Sequence, residues 1–292
     1  MTIPPLEILI QSVVSGLLMG FVYALIAAGL SLIFGLMEIV NFAHGEFLML
    51  AMYTAFWSYT LFALDPLVSL PVCTLVLALI GWLVYRGIIS RILQAPMLAQ
   101  IFATFGVSVF LRAGAQFLWT PDFRLIQNPF LGGRRVALGG IFIGLPQLVA
   151  SLACLAAFGF LYWFITRTET GTALQATAQD RQAAALMGIN TEGMFSLAWM
   201  IGAGCVGVAG GLLANFYYIF PEVGFLFGLL AYVTVALGGF GNVAAALFAG
   251  VVVGVVEVLG GLLIAPAFKY VVVFVIYLGV VLWRPQGLFG KF

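Results

Sequence analysis

Thirty consecutive residues, Ile8–Met37, carry no Asp, Glu, Lys or Arg. Further uncharged runs follow at Phe47–Leu64, Pro66–Tyr85, Ile92–Leu111, Val136–Thr166, Gly193–Pro221 and Val223–Val256. A last one, Val258–Trp283, is interrupted only by Lys269. A helix that crosses the hydrocarbon core needs about 20 apolar residues. By that measure the runs supply roughly eight spans, and the longest leave residues over for half-helices or breaks. The pattern predicts an all-α, polytopic integral membrane protein. It would hold about eight transmembrane helices, plus broken or re-entrant half-helices, in one domain over residues 1–292.

Charge supports this reading and removes several functions. Only 7% of the residues are charged, where a soluble domain carries about 25%. Eleven scattered basic residues against ten acidic ones leave no electrostatic footprint for nucleic acid. One histidine, His44, and three distant cysteines, Cys73, Cys154 and Cys205, do not make a zinc or iron–sulfur cluster. The cysteines sit in apolar stretches and read as small core residues. No GxxxxGK[ST] loop is present, and the only lysines are Lys269 and Lys291, so no phosphate cradle forms within this chain. A catalytic triad would have to take the single histidine as its base. These absences predict a chain that is not an enzyme and binds no cofactor itself. The leader Met1–Leu6 has no basic residue, so the first run reads as a retained helix entered through Pro4-Pro5.

The longest polar stretch is the loop at 166–192, which contains TALQATAQDRQAAALMG. Its alanines, with Leu174, Leu186 and Met187, favour helix, and Gly188 stands where a helix would stop. It reads as a short amphipathic helix at the membrane surface, or as a plain connector between spans. Arg86 and Arg91, Arg167 and Arg181, and Arg284 and Lys291 mark cytoplasmic places by the positive-inside rule. Arg124, Arg134 and Arg135 conflict with this, because alternation of spans sets them opposite the 166–192 loop.

Glu38, His44, Glu46, Arg112 and Glu257 lie in or beside apolar runs, where a charge costs at least ~2.5–3.5 kcal/mol at the bilayer centre. A pair between Arg112 and Glu257 is one way to meet that cost, and a snorkelling Arg112 is another. Two helix breaks stand out. In the first, glycines 29, 35 and 45 flank Asn41, His44 and Glu46; in the second, Gly238, Gly239 and Gly241 precede Asn242. Interrupted backbone at bilayer depth is tolerated only in protein or at a water-filled cavity. Breaks in both halves therefore point to a transport route, although the first break would also suit a surface turn with Asn41 as a cap. No residue-by-residue repeat joins the halves.

These stretches carry a family resemblance. GLSLIFG at Gly29–Gly35 with NFAHGE at Asn41–Glu46 resembles the N-terminal signature of LivH-type permeases of branched-chain amino acid ABC importers. GTALQATAQDRQAAALMGIN at Gly171–Asn190 is similar to that family's cytoplasmic loop. VALGGFGNVAAALFAGVVVGVVE at Val235–Glu257 and WRPQGLFG at Trp283–Gly290 are similar to its C-terminal signatures. The segment Phe47–Ala55 departs from the family in lacking its usual glycine, and Asp122–Arg135 has no family pattern.

The resemblance implies a multi-pass permease of the bacterial inner membrane that carries hydrophobic amino acids or related amides by alternating access. Its partners would be a LivM-like second permease or a second copy of itself, two ATP-binding subunits that use ATP and magnesium, and a periplasmic substrate-binding protein. Leu174, Gln175, Gln179, Asp180, Arg181 and Gly188 would belong to a single coupling helix at Leu174–Gly188, which docks on an ATPase. Asn41, His44, Gly238, Gly239 and Asn242 would line the substrate pathway. The competing expectation is a self-sufficient channel or proton-coupled carrier, with Glu38, Glu46 or Glu257 as proton sites.

Overall fold

No water reaches bilayer depth to satisfy free backbone N–H and C=O groups, so an apolar run must bond within itself, as an α-helix does. The computed structural model describes residues 5–138 and 140–290. Pro4 of the expected leader and Lys291 lie outside these residues. Helix α1 (Leu6–Met37) is followed by α2 (His44–Phe62) and α3 (Leu70–Val84), and α3 runs through a π-helical turn at Tyr85–Ile89 into α4 (Ser90–Ile92). Next come α5 (Met97–Trp119), a hairpin of β1 (Arg135–Leu138) and β2 (Ile141–Gly144), and α6 (Leu145–Arg167). The chain continues with α7 (Glu169–Gln179), α8 (Arg181–Leu186), α9 (Thr191–Leu213), α10 (Val223–Gly238) and α11 (Val243–Leu263). A 3-10 turn at Pro266–Phe268 leads to α12 (Lys269–Trp283).

Seven described helices are long and apolar enough to span a membrane. The less apolar α2 and the shorter α10 are additional, which agrees with an all-α polytopic fold of about eight spans and broken helices. The sequence misplaces one boundary. The run Val136–Thr166 opens with the hairpin, in which Val136 pairs with Ile143 and Ala137 with Phe142, and α6 starts only at Leu145. Short apolar runs on either side of Gly139-Gly140 suit a hairpin as readily as a helix, and hydropathy cannot tell them apart.

Helix α1 is the axis of the bundle. Every residue from Val22 to Ile33 is buried, so this stretch shows lipid no face. Around it the packing has a two-fold character. Helix α1 packs on α11 as α9 packs on α3, and α2 packs on α9 as α10 packs on α1. The centres cross at glycines: a Cβ on Gly29 would sit 2.6 Å from the Gly202 carbonyl, and one on Gly202 would sit 2.8 Å from the Gly29 carbonyl. Helices α1 and α9 run in opposite directions, because α1 ends beside the α7–α8 segment while α9 begins there. The triplets α1–α3 and α9–α11 thus form an inverted pair, the arrangement that sets a transport site at the repeat interface.

Alternation of the spans puts α7 and α8 on one face (the loop face) and the β-hairpin on the other (the hairpin face). Arg86, Arg91, Arg167, Arg181 and Arg284 belong to the loop face. Of the three arginines that conflict with this on the hairpin face, Arg124 and Arg134 are tied to the protein itself, and Arg135 is exposed. The Arg124 guanidinium donates to the Trp119 carbonyl and lies 5.5 and 5.4 Å over the rings of Phe56 and Trp57. Arg134 lies 4.9 Å over Phe130. Cations held by aromatic faces and a carbonyl serve the loop's own structure, which leaves Arg135 alone in conflict with the rule.

Candidate functional site

After α1 the chain turns back into the bundle. Glu38 ends α1 in a left-handed conformation, φ 56°, and is exposed at the loop face. Non-helical backbone, closing in a turn in which the His44 N–H donates to the Asn41 carbonyl, then carries Ile39, Asn41 and Ala43 to full burial before α2 begins. The inward path is fixed at its side by Thr104 of α5, whose hydroxyl donates to the Val40 carbonyl at 2.9 Å. The first break is therefore not a surface turn. Chain Ala214–Glu222 does the same from the hairpin face, between α9 and α10. Asn215-Phe216 there repeats the Asn41-Phe42 pair, and Pro221-Glu222 closes the segment. This second inward segment was hidden in the sequence because Gly193–Pro221 reads as one long uncharged run.

The starts of α2 and α10 meet inside the bundle. A Cβ on Gly45 would land on the Gly224 carbonyl, and a Cβ on Gly224 on that of Gly45, so only glycine allows this approach. Neither helix start is capped by a side chain. Each therefore presents free N–H groups and a partial positive charge.

Polar groups crowd this junction. Asn41 Oδ1 accepts from the Ala43 N–H at 3.1 Å, and Asn41 Nδ2 has no partner. His44 Nε2 is 2.9 Å from the Ile26 carbonyl midway along α1. A carbonyl can only accept, so Nε2 carries the proton there, and Nδ1 is left without a partner. Glu46, 1% exposed, accepts through Oε1 from Ser108 Oγ at 3.1 Å and from Arg112 Nε at 3.1 Å, with a second guanidinium N–H on the same oxygen. Its Oε2 is buried and unpartnered. Buried polar atoms are nearly always bonded, so the concentration of open ones at this junction makes it the candidate site.

Arg112 neither snorkels nor reaches Glu257, as the sequence allowed. Glu257 instead binds Lys269 Nζ through Oε1 at 2.8 Å and accepts the Tyr23 hydroxyl through Oε2 at 2.5 Å. The reason is topological. Lys269 opens α12, and the tight turn after α11 lays α12 back against it.

The second break expected from the sequence lies elsewhere. Gly238, Gly239 and Asn242 form the turn between α10 and α11 at the loop face, where the C-terminal segment covers them: Leu288 N–H donates to the Leu237 carbonyl at 2.8 Å. Asn242 caps α11, with Oδ1 accepting from the Ala245 N–H at 3.1 Å. A cavity of about 640 Å³ opens there, lined by Glu38, Gln175, Phe240, Asn242 and Phe289 among others. Of the expected pathway residues, Asn41 and His44 thus share the inner junction and Asn242 lines the outer cavity, whereas Gly238 and Gly239 are buried under the C-terminal segment and line neither.

The expected coupling helix is two helices. Asp180 breaks the run by capping α8, its Oδ1 accepting from Gln182 N–H at 2.8 Å and Ala183 N–H at 2.9 Å. An Asp inside an alanine-rich stretch competes for backbone N–H groups in this way. Gly188, φ 85°, ends α8 as expected. Among the residues assigned to a partner only Leu174 is buried; Gln175 and Arg181 are exposed and also touch the protein's own helices. Leu174 is 1% exposed, Gln175 Nε2 donates to the Ile165 carbonyl at 2.7 Å, and the Arg181 guanidinium lies 5.0 Å over the Phe195 ring. Gln179 is exposed. The large apolar groups offered outward beside these polar ones are Leu186 and Met187, 89% and 82% exposed. Their sequence signal was an apolar pair at the end of an otherwise small and polar helix.

Comparison with known proteins gives a consistent picture. The family model described as the permease component of branched-chain amino acid transport systems matches residues 12–281. The chain is 32% identical to the high-affinity branched-chain amino acid transport system permease protein BraD of Pseudomonas aeruginosa, covering 97% of this chain and 96% of that protein. It is 30% identical to the permease protein LivH of Escherichia coli, with the same coverage of both chains. LivH of the archaeon Methanocaldococcus jannaschii is 28% identical over 91% of this chain. No solved structure matches.

Proposed function

The chain belongs to the family of branched-chain amino acid transport permease components, and from that premise we propose that it forms half of the membrane pathway of an ATP-driven importer for branched-chain amino acids. It is a multi-pass transport subunit of the cytoplasmic membrane and not an enzyme; hydrolysis of ATP belongs to the ATPases of such systems. A LivM-like permease, or a second copy of this chain, completes the pathway, and a binding protein delivers solute at the hairpin face. The loop face is cytoplasmic. Solute passes the inner junction at Asn41 and His44 and leaves through the mouth lined by Asn242.

The observation that carries the ATP-driven part of the reading is the exposed Leu186–Met187 pair on α8. Two large apolar side chains on a short, anchored helix suit the apolar groove of a partner protein. Helix α7 is bound to α6 through Thr168 and Gln175, so a push on α8 is passed to the spans. ATP binding would then shift the bundle between inward-open and outward-open states. The proton-coupled alternative loses support. Glu46 and Glu257 are each paired with a cation, and Glu38 is exposed.

Replacing Leu186 and Met187 together with Glu tests the reading in the reconstituted complex. ATP-driven leucine uptake is expected to fall to background, while the unfolding free energy stays within about 0.5 kcal/mol, as for exposed positions generally. Uptake at the unaltered rate would refute the docking role.

A further inference from the structure

Beside the inner junction, α2, α5 and α10 enclose a cleft of about 90 Å³ lined by Phe42, Gly45, Glu46, Ser108, Arg112 and Tyr232 among others. It combines three features that have no use in a purely structural contact. The first is the charge pair of Glu46 and Arg112 with one carboxylate oxygen, Oε2, buried and unpartnered. Tyr232 Oη, also buried, is open as well. The second is the pair of uncapped helix starts at Gly45 and Gly224, both on the cleft wall. The third is an aromatic rim: Phe42, Phe105 and Phe225 are 40%, 54% and 53% exposed, and the Arg112 guanidinium lies 5.2 Å over the Phe225 ring.

Resting on the importer reading above, we infer that this cleft is the permease's own recognition site for an amino acid zwitterion. The ammonium group binds Glu46 Oε2. The carboxylate lies against Arg112 and the free N–H groups at the two helix starts, whose partial positive charge attracts it. The head group fills the small cleft, and an aliphatic side chain rests on the Phe42, Phe105 and Phe225 rings. The charges balance: the resident pair is neutral, and a zwitterion adds one charge of each sign. A free amine, a free acid, or an amino acid with a charged side chain leaves one charge without a partner, which low-dielectric surroundings penalise. The site therefore selects amino acids with uncharged side chains by charge count, and the aromatic rim favours the apolar ones among them.

Val109→Cys puts a thiol on the cleft wall without touching the charge pair. The full transporter, assembled with its ATPases, second permease and binding protein, is labelled with a maleimide. Leucine is expected to slow labelling of this thiol, whereas 3-methylbutylamine and 4-methylpentanoate, each lacking one charge, leave it unchanged. Glu46→Gln retains the hydrogen-bonding shape and is expected to raise the leucine concentration for half-protection about 10- to 100-fold, the worth of a charge-assisted hydrogen bond. Transporters that take up leucine but show no protection, or equal protection by either analogue, would overturn the site and leave the importer reading intact. Full uptake by the exchanged pair, E46R with R112E, would overturn it also, since a structural pair tolerates reversal. A wild-type transporter that moves no branched-chain amino acid would instead defeat the importer reading on which this site rests.

Discussion

Two breaks with similar residues have opposite structural fates. Gly35 to Gly45, with Asn41 between, passes into the bundle. Gly238 to Gly241, followed by Asn242, turns at the loop face. At the outer turn Asn242 caps α11, and the C-terminal backbone bonds the carbonyls of Leu237 and Gly238. At the inner junction two helix starts remain uncapped, and Asn41, His44 and Glu46 each keep one open polar atom. Glycine and asparagine mark where a membrane helix stops. Whether the stop is finished or left open for a ligand is set by what packs against it.

Four substitutions sharpen the contrast, in falling order of effect. Gly45→Val would drive a branched side chain into the Gly224 backbone, and a loss of about 3 kcal/mol or more is expected, the upper range for overpacking; detergent-solubilised complex should elute as aggregate or dissociated subunits. His44→Ala removes the bond to Ile26 and leaves a hole, for about 2–4 kcal/mol, seen as a lowered Tm. Uptake should fall further than the remaining folded fraction explains. Gly241→Ala, at φ 78° on the outer turn, should cost about 1–2 kcal/mol for the left-handed backbone, with uptake following the folded fraction. Asn242→Ala removes only a cap, worth about 1 kcal/mol, and Asn242→Asp should restore the Tm. If His44→Ala and Asn242→Ala had equal effects on uptake per folded transporter, the distinction between the two breaks would collapse.

Much of the fold was legible because lipid imposes one rule on every residue in it. The uncharged runs located α1, α3, α5, α6, α9, α11 and α12, and Gly188 marked the end of α8. The site was legible in part. Asn41, His44 and Glu46 were identified as residues at a break and Arg112 as a charge needing a partner, but its carboxylate was not identified and Ser108 comes from a helix that reads as an ordinary span. Asp180 was visible as a polar residue, and its capping geometry was not. The inward chain at 214–222 escaped notice since it carries no charge before Glu222, and hydropathy does not separate coil from helix in such a run.

Composition and periodicity by themselves determined that this chain lies in a membrane, is helical, and breaks its helices at glycine and asparagine. Those features follow from local requirements, since each run must satisfy its own backbone and each charge costs free energy wherever it sits in lipid. Only the tertiary structure decided which carboxylate meets which cation, which break turns inward, and that two helix starts touch through Gly45 and Gly224. These depend on contacts between residues far apart in the chain, and the inverted packing of α1–α3 against α9–α11 is what brings them together.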